Sequence, residues 1–283
     1  MPPVLIDVTR LLYRRARRML PTGIDRVGLA YVARYAEGAR AVLSLGPFSA
    51  VLSARDSARA FRAVSSAGVP VRALALRLVL KAFLWRWLAG GGEGAILINT
   101  GHTGLGHPRH GWSLRRRGAR LVAVVHDLIP ITHAEYFPPG ELETHRVRMR
   151  CAATLSAGIV ANSRCTLAAL DAFCRREGIA RAPAIVAHLG GGIAALAPGE
   201  RPIAPPYFVV LGTVEPRKNH AMLLHLWRRL AATRGADAPR LVLIGQRGWE
   251  CENVVDLLER CDALRGLVIE KSQCSDEELV TWL

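Results

Sequence analysis

Short apolar runs alternate with longer amphipathic stretches through the first two thirds of this chain. The apolar runs predict strands at Val4–Val8, Ala41–Leu45, Ala95–Asn99, Leu121–Val125, Gly158–Ala161 and Ala184–Ala187. Helical periodicity between them predicts helices at Ile24–Tyr35, Ser53–Ser66, Val71–Leu88, Glu141–Ser156 and Leu167–Glu177. Strands that alternate with helices in this way indicate an α/β fold built on a parallel sheet.

The same alternation starts again near the C-terminus. Strands are predicted at Tyr207–Leu211, Leu241–Ile244 and Leu267–Glu270, and helices at His220–Arg234, Glu252–Cys261 and from Ser275 onward, where S-D-E-E is a capping box. About three strand–helix units are fewer than a full doubly wound domain has. We therefore expect the second domain to be incomplete.

A proline-rich segment, Ala197–Pro206, separates the two series. It contains four prolines in ten residues, which excludes regular structure and is typical of an interdomain linker. The sequence thus predicts an N-terminal Rossmann-like domain of residues 1–196, a linker of residues 197–206 and a partial C-terminal domain of residues 207–283.

The predicted helix Val71–Leu88 is apolar enough to raise the question of a membrane. Its four cations, Arg72, Arg77, Lys81 and Arg86, argue against a spanning helix. Two alternatives stay open: a basic helix that lies on a membrane surface, and a buried domain helix whose cations reach solvent.

The net charge indicates which kinds of partner to expect, and the cysteine content indicates which cellular compartment to expect. The net charge is +15 and the pI about 10.7, which favours anionic partners such as nucleotides or anionic lipid headgroups. No basic stripe with interleaved aromatic residues is present, so nucleic acid is not expected as a partner. The six cysteines include no C-x-x-C pair, and MPPVLIDVTR does not read as a signal peptide. A cytoplasmic protein, peripheral on the inner membrane at most, is expected.

The most informative local pattern follows the strand Tyr207–Leu211. A turn at Gly212–Pro216 leads into Arg217 and Lys218 at the opening of a helix. Free backbone N–H groups, the helix dipole and two adjacent cations make such a position suited to an anion, and a diphosphate would fit. The alternative is a strand–helix turn that carries two solvated basic residues.

Further candidates lie where other predicted strands end. His126 and Asp127 follow Leu121–Val125, and the glycine-rich loop NTGHTGLG with His102 follows Ala95–Asn99. Ligands bind outside the carboxyl ends of parallel strands, which favours a functional role for His126, but a structural His–Asp pair is the alternative. Thr22 and Gly23 precede a helix, and so do Asn162 and Ser163, whose predicted role is capping.

Several familiar motifs do not occur in the sequence. It contains no G-x-x-x-x-G-K-[ST], no G-x-G-x-x-G after the first strand, no G-x-S-x-G and no D-x-D. A D-x-D cluster would commonly hold a metal on a diphosphate. Without one, basic side chains and helix N-termini would have to neutralise a leaving diphosphate.

Three segments in order, FVVLGTVEPRKNHAMLLHLWRRL, LVLIGQRGWECENVVDLL and SDEEL, resemble the donor domain of family 4 glycosyltransferases of the GT-B fold. The N-terminal segments IDVTRLL, TGIDRV, VVHDLIP and IVANSRCT resemble the acceptor-side domain of that family, especially of its mannosyltransferase-like bacterial members. The resemblance extends over essentially the whole chain.

The resemblance implies two Rossmann-like domains that face a cleft and a retaining, metal-independent transfer of a hexose without a cofactor. The donor would be a nucleotide-diphosphate sugar, and the acceptor a glycan or a lipid-linked glycan of a polysaccharide, lipopolysaccharide or glycolipid.

The resemblance also assigns roles to individual residues. Lys218 would contact the donor diphosphate, supported by Arg217, while Gly212 would allow the nucleotide to approach. His126 would be the catalytic-site residue near the transferred sugar. On the N-terminal side of the cleft, the resemblance and the strand-end positions together give four residues, Gly23, Arg26, His102 and Asp127.

Two departures from the family pattern matter. Many relatives have an arginine after the glycine of the turn, where this chain has Thr213. The E-x7-E motif of the family would lie beyond the last predicted helix; Glu270 and Glu278 have that spacing, which we interpret as coincidence. The alternative to an active transferase is therefore an inactive fragment or a non-catalytic module that binds an anionic membrane surface.

Overall fold

The computed structural model describes residues 2–66, 70–84, 92–107, 109–110, 118–191 and 199–283. The chain folds into two compact units. The first comprises Met1–Ala134 and Gly140–Gly190, and the second Glu135–Pro139 and Gly191–Leu283. The predicted α/β class is confirmed in both units. The predicted domain bounds, 1–196 and 207–283, and the linker 197–206 remain predictions, because residues 192–198 lie outside the described residues.

The first unit is built on a seven-stranded sheet with the order β3-β2-β1-β4-β5-β6-β7. Its neighbouring strands are parallel except for the pair β2–β3. The strands are β1 (Val4–Asp7), β2 (Arg40–Leu45), β3 (Phe48–Val51), β4 (Ile96–Asn99), β5 (Arg120–Val125), β6 (Gly158–Ala161) and β7 (Ala184–Val186). Strand β3 was not predicted; Gly46 adopts a positive φ of 56° in the hairpin turn that reverses the chain.

Helices cover this sheet on both faces. They are α1 (Thr9–Ala16), α2 (Gly23–Tyr35), α3 (Ala54–Ser65), α4 (Arg72–Leu84), α5 (Ile129–Thr132), α6 (Glu141–Leu155) and α7 (Arg164–Glu177). The described part of the predicted helix Val71–Leu88 is α4, and residues 85–88 lie outside the described residues. Within the described part of the chain, no helix is long and apolar enough to cross a membrane.

Two apolar cores lie on opposite faces of the seven-stranded sheet. Successive side chains of β1 point to opposite faces, so Leu5 joins one core and Ile6 the other. Met149 and Phe173 of α6 and α7 pack in the core of Leu5, whereas Phe61 of α3 packs in the core of Ile6. Burial on both faces explains why these strands are continuous apolar runs.

The second unit contains a three-stranded parallel sheet with the order β10-β9-β8. Its strands are β8 (Tyr207–Leu211), β9 (Arg240–Ile244) and β10 (Val268–Lys271), and its helices are α8 (His220–Arg234), α9 (Glu252–Arg260) and α10 (Asp276–Trp282). Leu224 and Trp227 of α8 pack against Leu241 and Leu243 of β9. Within this unit, the ring of Phe137 stacks on Trp249 at 5.9 Å, and the Trp249 indole N–H donates to the Tyr136 carbonyl.

Candidate functional site

Lys218 and Gly212 lie together at the carboxyl end of β8. A Cβ placed on Gly212 would be 3.7 Å from both Cε and Nζ of Lys218, and Gly212 has a positive φ of 145°. Lys218 ends the 3-10 turn Pro216–Lys218, and α8 begins two residues later at His220. An exposed ammonium group thus lies over a bare stretch of backbone beside a helix N-terminus.

Arg217, the other predicted cation, is engaged differently. Its Nε lies 2.6 Å from Oε1 of Glu215, and the Glu215 side chain is buried. The guanidinium charge therefore compensates a buried carboxylate within the turn itself. The sequence predicts that Arg217 and Lys218 act together on one anion. In the structure, Arg217 stabilises the turn and Lys218 is exposed.

The loop that follows β9 is hydrogen-bonded to the turn after β8. The sequence did not predict this contact. The Gly212 amide donates to the Ile244 carbonyl at 2.8 Å and the Val214 amide to that of Gln246 at 2.9 Å. A Cβ on Gly245 would lie 2.1 Å from the Gly212 carbonyl oxygen. The signal available in the sequence was a glycine directly after β9.

His220, the first residue of α8, is a further residue that sequence reasoning missed. It is 1% exposed, and within the described residues neither ring nitrogen has a hydrogen-bond partner. Burial lowers the pKa of His220, and the positive charge of Lys218 acts in the same direction. A neutral imidazole therefore lies next in sequence to the cationic turn.

His126 and His102 meet at the carboxyl ends of β4 and β5. Nε2 of His126 lies 2.7 Å from the Thr100 carbonyl oxygen, and Nε2 of His102 lies 2.8 Å from that of Val124. Their ring centroids are 5.6 Å apart. The structure therefore brings together two predicted site residues that are distant in sequence.

His145 of α6, which the sequence analysis did not single out, joins this pair. Its ring lies 6.1 Å from that of His102, and its Nε2 contacts the Asp127 carbonyl at 3.2 Å. The Asp127 carboxylate accepts the Ile129 amide at 3.1 Å at the start of α5. His126 and Asp127 thus each bond a backbone group, of Thr100 and Ile129 respectively, and both their structural and their functional interpretation stay open.

All three histidines are buried, and burial is the main cause that lowers their pKa values. The pKa of His102 falls to about 3, with the charges of His126 and His145 acting in the same direction. The pKa values of His126 and His145 are also lowered, chiefly by burial. These imidazoles are neutral near pH 7.

Gly23 lies at the start of α2, beside a buried ion cluster. The Thr22 amide donates to Oδ2 of Asp25 at 2.7 Å, as in a capping box, and a Cβ on Gly23 would meet open space. Buried Asp25 pairs with Nε of Arg10 and of Arg14, each at 2.8 Å. Sequence reasoning missed Arg10, which lies against Gly101 in the loop after β4.

Arg26 follows Asp25 on the first turn of α2. Its side chain is exposed. The structure therefore places this predicted residue at the surface of the first unit, near the predicted glycine of the same helix.

The predicted capping role is confirmed for Ser163 at the start of α7, whereas Asn162 contacts a side chain there. Oγ of Ser163 accepts the Thr166 amide at 3.1 Å, and Oδ1 of Asn162 accepts the Thr166 hydroxyl at 2.7 Å. The Thr166 hydroxyl also lies 3.1 Å from the His126 carbonyl oxygen. The cap of α7 is thus connected to the strand end that carries His126.

Glu270 and Glu278 both form ion pairs within the second unit. Arg247 binds Glu270 through Nε and Nη2, each at 2.8 Å, and Lys271 lies 3.1 Å from Glu278. Their E-x7-E spacing coincides with two separate salt bridges. In the described part of the chain, no group of three histidine, cysteine, aspartate or glutamate residues could hold a metal ion.

Comparison with known proteins gives partial similarities. No family model matches the chain. It is 26% identical over 187 residues to the serotype-specific mannosyltransferase WbdA of Escherichia coli, and 25% identical over 183 residues to a second WbdA of that species. Each match covers 59% of this chain and 22% of the relative. The similar region thus spans about a fifth of the length of these relatives.

Two solved structures align with the fold. A mutant of TarM from S. aureus, in complex with fondaparinux, alpha-GlcNAc-glycerol and UDP, has a TM-score of 0.46 and 12% identity, over 69% of this chain and 36% of that one. A GtfA/B complex has a TM-score of 0.41 and 15% identity, over 74% and 39%. The chain is therefore similar in sequence to part of a mannosyltransferase.

Proposed function

We propose that this chain has the GT-B architecture and acts as a glycosyltransferase that moves a hexose, mannose in the first instance, from a nucleotide-diphosphate sugar to a glycan or lipid-linked acceptor. The proposal includes a retaining mechanism without metal or cofactor, and a role in bacterial polysaccharide, lipopolysaccharide or glycolipid synthesis on the cytoplasmic side of the inner membrane. The similarity to WbdA, a mannosyltransferase by name, supports the reaction class.

The observation that carries the proposal is the position of Lys218 over Gly212. The glycine leaves the backbone open to a bulky anion, and the ammonium group and the N-terminus of α8 supply positive charge. In glycosyl transfer, negative charge develops on the departing nucleoside diphosphate, so preorganised positive charge lowers the barrier. Lys218 would supply this stabilisation in place of a metal.

We propose that His126, in the first unit, contacts the transferred sugar. It lies where a ligand of an open parallel sheet binds, beyond the carboxyl end of β5. His102, Asp127, Gly23 and Arg26 occupy neighbouring strand ends or the start of α2 within the first unit and are proposed as acceptor-side residues.

Titration calorimetry with GDP-mannose, and with UDP-glucose as a comparison, tests the proposal directly. We expect saturable binding of at least one donor, and we expect Lys218→Ala to raise its Kd roughly tenfold to a hundredfold through loss of a charge-assisted contact. Arg229→Ala is the matched control, since it removes an exposed cation from α8, the helix that follows Lys218. Absence of saturable binding by any sugar nucleotide, or equal effects of the two variants, would contradict the proposal.

A second candidate function is supported by one face of α4. Leu76, Leu80 and Leu84 are 61%, 52% and 69% exposed, and Arg72 and Arg77 are exposed on the same helix. Exposed leucines beside cations are typical of helices that lie on anionic bilayers. A non-catalytic module of this kind would bind an anionic membrane surface.

Vesicle co-sedimentation distinguishes this candidate. Binding is expected to vesicles that contain phosphatidylglycerol and to be much weaker for pure phosphatidylcholine, and Leu76→Ser with Leu80→Ser should abolish it. Leu226→Ser, at a leucine of α8 that is 46% exposed, is the control. Equal sedimentation of all variants would exclude α4 as the membrane contact.

A further inference from the structure

We propose that His102 is a positioning residue for His126, and that their reciprocal hydrogen bonds fix His126 with Nδ1 as its free acceptor atom. The inference deepens the proposed function, because it specifies which chemical group the site recognises: a neutral hydroxyl donor on a sugar. His102 acts through His126 and through the backbone on either side of it.

The hydrogen bonds of His126 and His102 are reciprocal because each runs from beyond one strand to a backbone carbonyl at the other. His126 lies just beyond β5 and donates to the carbonyl of Thr100, just beyond β4. His102 lies beyond β4 and donates to Val124, which is inside β5. Since β4 and β5 are parallel neighbours, each histidine ties its own strand end to the other strand. Loss of either bond loosens both strand ends.

The backbone at His102 is consistent with a position fixed by its side chain. His102 has a φ of 57°, which is uncommon for a residue other than glycine and persists where surrounding contacts impose it. The Asn99 amide group donates to the Thr103 carbonyl at 2.8 Å and closes the loop around it. The ring of His102 is close to both the His126 ring and the His145 ring.

The hydrogen bonds also determine the tautomer. A carbonyl oxygen only accepts, so Nε2 of His126 carries the proton and Nδ1 carries the lone pair. Among the described residues, Nδ1 of His126 has no hydrogen-bond partner. An unprotonated nitrogen accepts a hydrogen bond from a hydroxyl group but has nothing to donate to a phosphate oxygen. The arrangement therefore favours a hydrogen-bond donor such as a sugar hydroxyl over a phosphate oxygen.

Burial keeps the three histidines neutral, and the surrounding charges do not reverse its effect on their pKa values. Burial is the largest cause that lowers the pKa of His102, and the charges of His126, His145 and Arg148, which it faces, act in the same direction. Arg10 opposes a proton on His126, while Asp127 favours one but does not offset burial. Asp127 and Glu141 act on His145 in the same subordinate way. The neutral acceptor form of His126 is thus the form present near pH 7.

Proton–nitrogen correlation spectra of the full chain with labelled histidine test the inference, since they distinguish protonated from unprotonated ring nitrogens. In the wild type near pH 7, we expect His126 to be protonated at Nε2 and unprotonated at Nδ1. His102→Phe keeps the ring but not the donor, and should give a mixture of both tautomers at His126. His102→Gln, whose amide can reach Val124, should restore the single tautomer.

Two further variants identify the His126 signal and provide a control. His126→Gln assigns the resonance, and His225→Phe, an exposed histidine of α8, should leave the His126 spectrum unchanged. A wild-type His126 protonated at Nδ1 overturns the inference even if no variant folds. So does a single unchanged tautomer in His102→Phe.

Catalysis is measured separately. If transfer from a sugar nucleotide occurs, His102→Phe should lower kcat about tenfold with little change in donor affinity, because the donor diphosphate is held elsewhere. If no transfer is seen in the wild type, the proposed function fails while the tautomer measurement still tests the His102–His126 arrangement.

Discussion

Gly245 and the carbonyl group of Gly212 are in such close contact that no side chain fits between them. A Cβ on Gly245 would lie 2.1 Å from that oxygen, well inside van der Waals contact. The Gly212 amide also donates to the carbonyl of Ile244, the residue before Gly245. The turn that carries Lys218 is therefore placed by direct backbone contact with the loop after β9.

Replacing Gly245 with alanine is expected to destabilise the second unit. The new methyl group must displace the Gly212 carbonyl, and overpacking of this kind costs about 1–3 kcal/mol. Donor binding should weaken as well, because the turn shifts with its glycine. Urea unfolding and calorimetry measure the two effects. Gly106→Ala, where a Cβ meets open space, should change stability by less than about 0.5 kcal/mol; equal losses in both variants would argue against the contact.

We expect substitution of Arg217 to lower mainly the stability of the protein and substitution of Lys218 to weaken mainly donor binding. Arg217→Ala removes a partner of buried Glu215, and we expect a loss of about 1–3 kcal/mol in unfolding free energy, reduced from the fully buried case because Arg217 is 32% exposed. Lys218→Ala should change stability by less than about 0.5 kcal/mol while weakening donor binding. Chemical denaturation of both variants tests this. A larger stability loss in Lys218→Ala would reverse the assignment.

Asp7 is expected to make the first unit less stable as pH rises from about 4 to 6. Burial raises the pKa of Asp7 from 3.8 to about 6. A raised carboxyl pKa means that the folded state holds the proton more tightly, so stability is highest below both pKa values and is lost as pH rises through the folded one. The difference corresponds to about 3 kcal/mol.

Asp7→Asn isolates this effect, since an amide does not ionise and can still accept the Thr9 amide and donate to the Ser44 hydroxyl. Relative to the wild type, the variant should gain stability between pH 4 and pH 7. The buried histidines act in the opposite direction in both proteins, so only the difference between the two unfolding profiles is diagnostic. Parallel profiles would show that Asp7 stays ionised.

Ser163→Ala should cost about 1 kcal/mol of stability, because the Ser163 hydroxyl satisfies the Thr166 amide at the N-terminus of α7. Ser66→Ala, an exposed serine after α3, serves as the comparison and should be nearly neutral. Thermal unfolding of the two variants measures the difference. Similar midpoints for both would mean that the cap contributes little.

The sequence predicted the parallel sheets because burial on both faces makes their strands continuous apolar runs. It missed β3, whose four residues follow a tight turn too closely to form a separate pattern. The helix α1 was hidden by the run of arginines that covers its surface, although Leu11 and Leu12 are buried beneath them. Short elements and elements with one narrow apolar side give weak periodicity.

At the candidate site, local relationships were predictable and distant ones were not. Lys218 and Gly212 are six residues apart, so one turn determines their contact. His145 and Gly245 reach their partners only after α6 and β9 have packed, and nothing in their sequence neighbours encodes that. Arg217 pairs with Glu215 because the Glu215 side chain is buried. The sequence does not show that a charged residue in a turn is buried.

One edge of the three-stranded sheet has a consequence for handling the protein. Among the described strands, β8 forms one edge and β10 the other, and Phe208 and Leu211 of β8 are 57% and 54% exposed. An edge strand with apolar side chains is a template for pairing with the edge of another molecule. Self-association that rises with protein concentration is therefore expected at β8, and a lysine introduced at Leu211 should keep concentrated samples from aggregating.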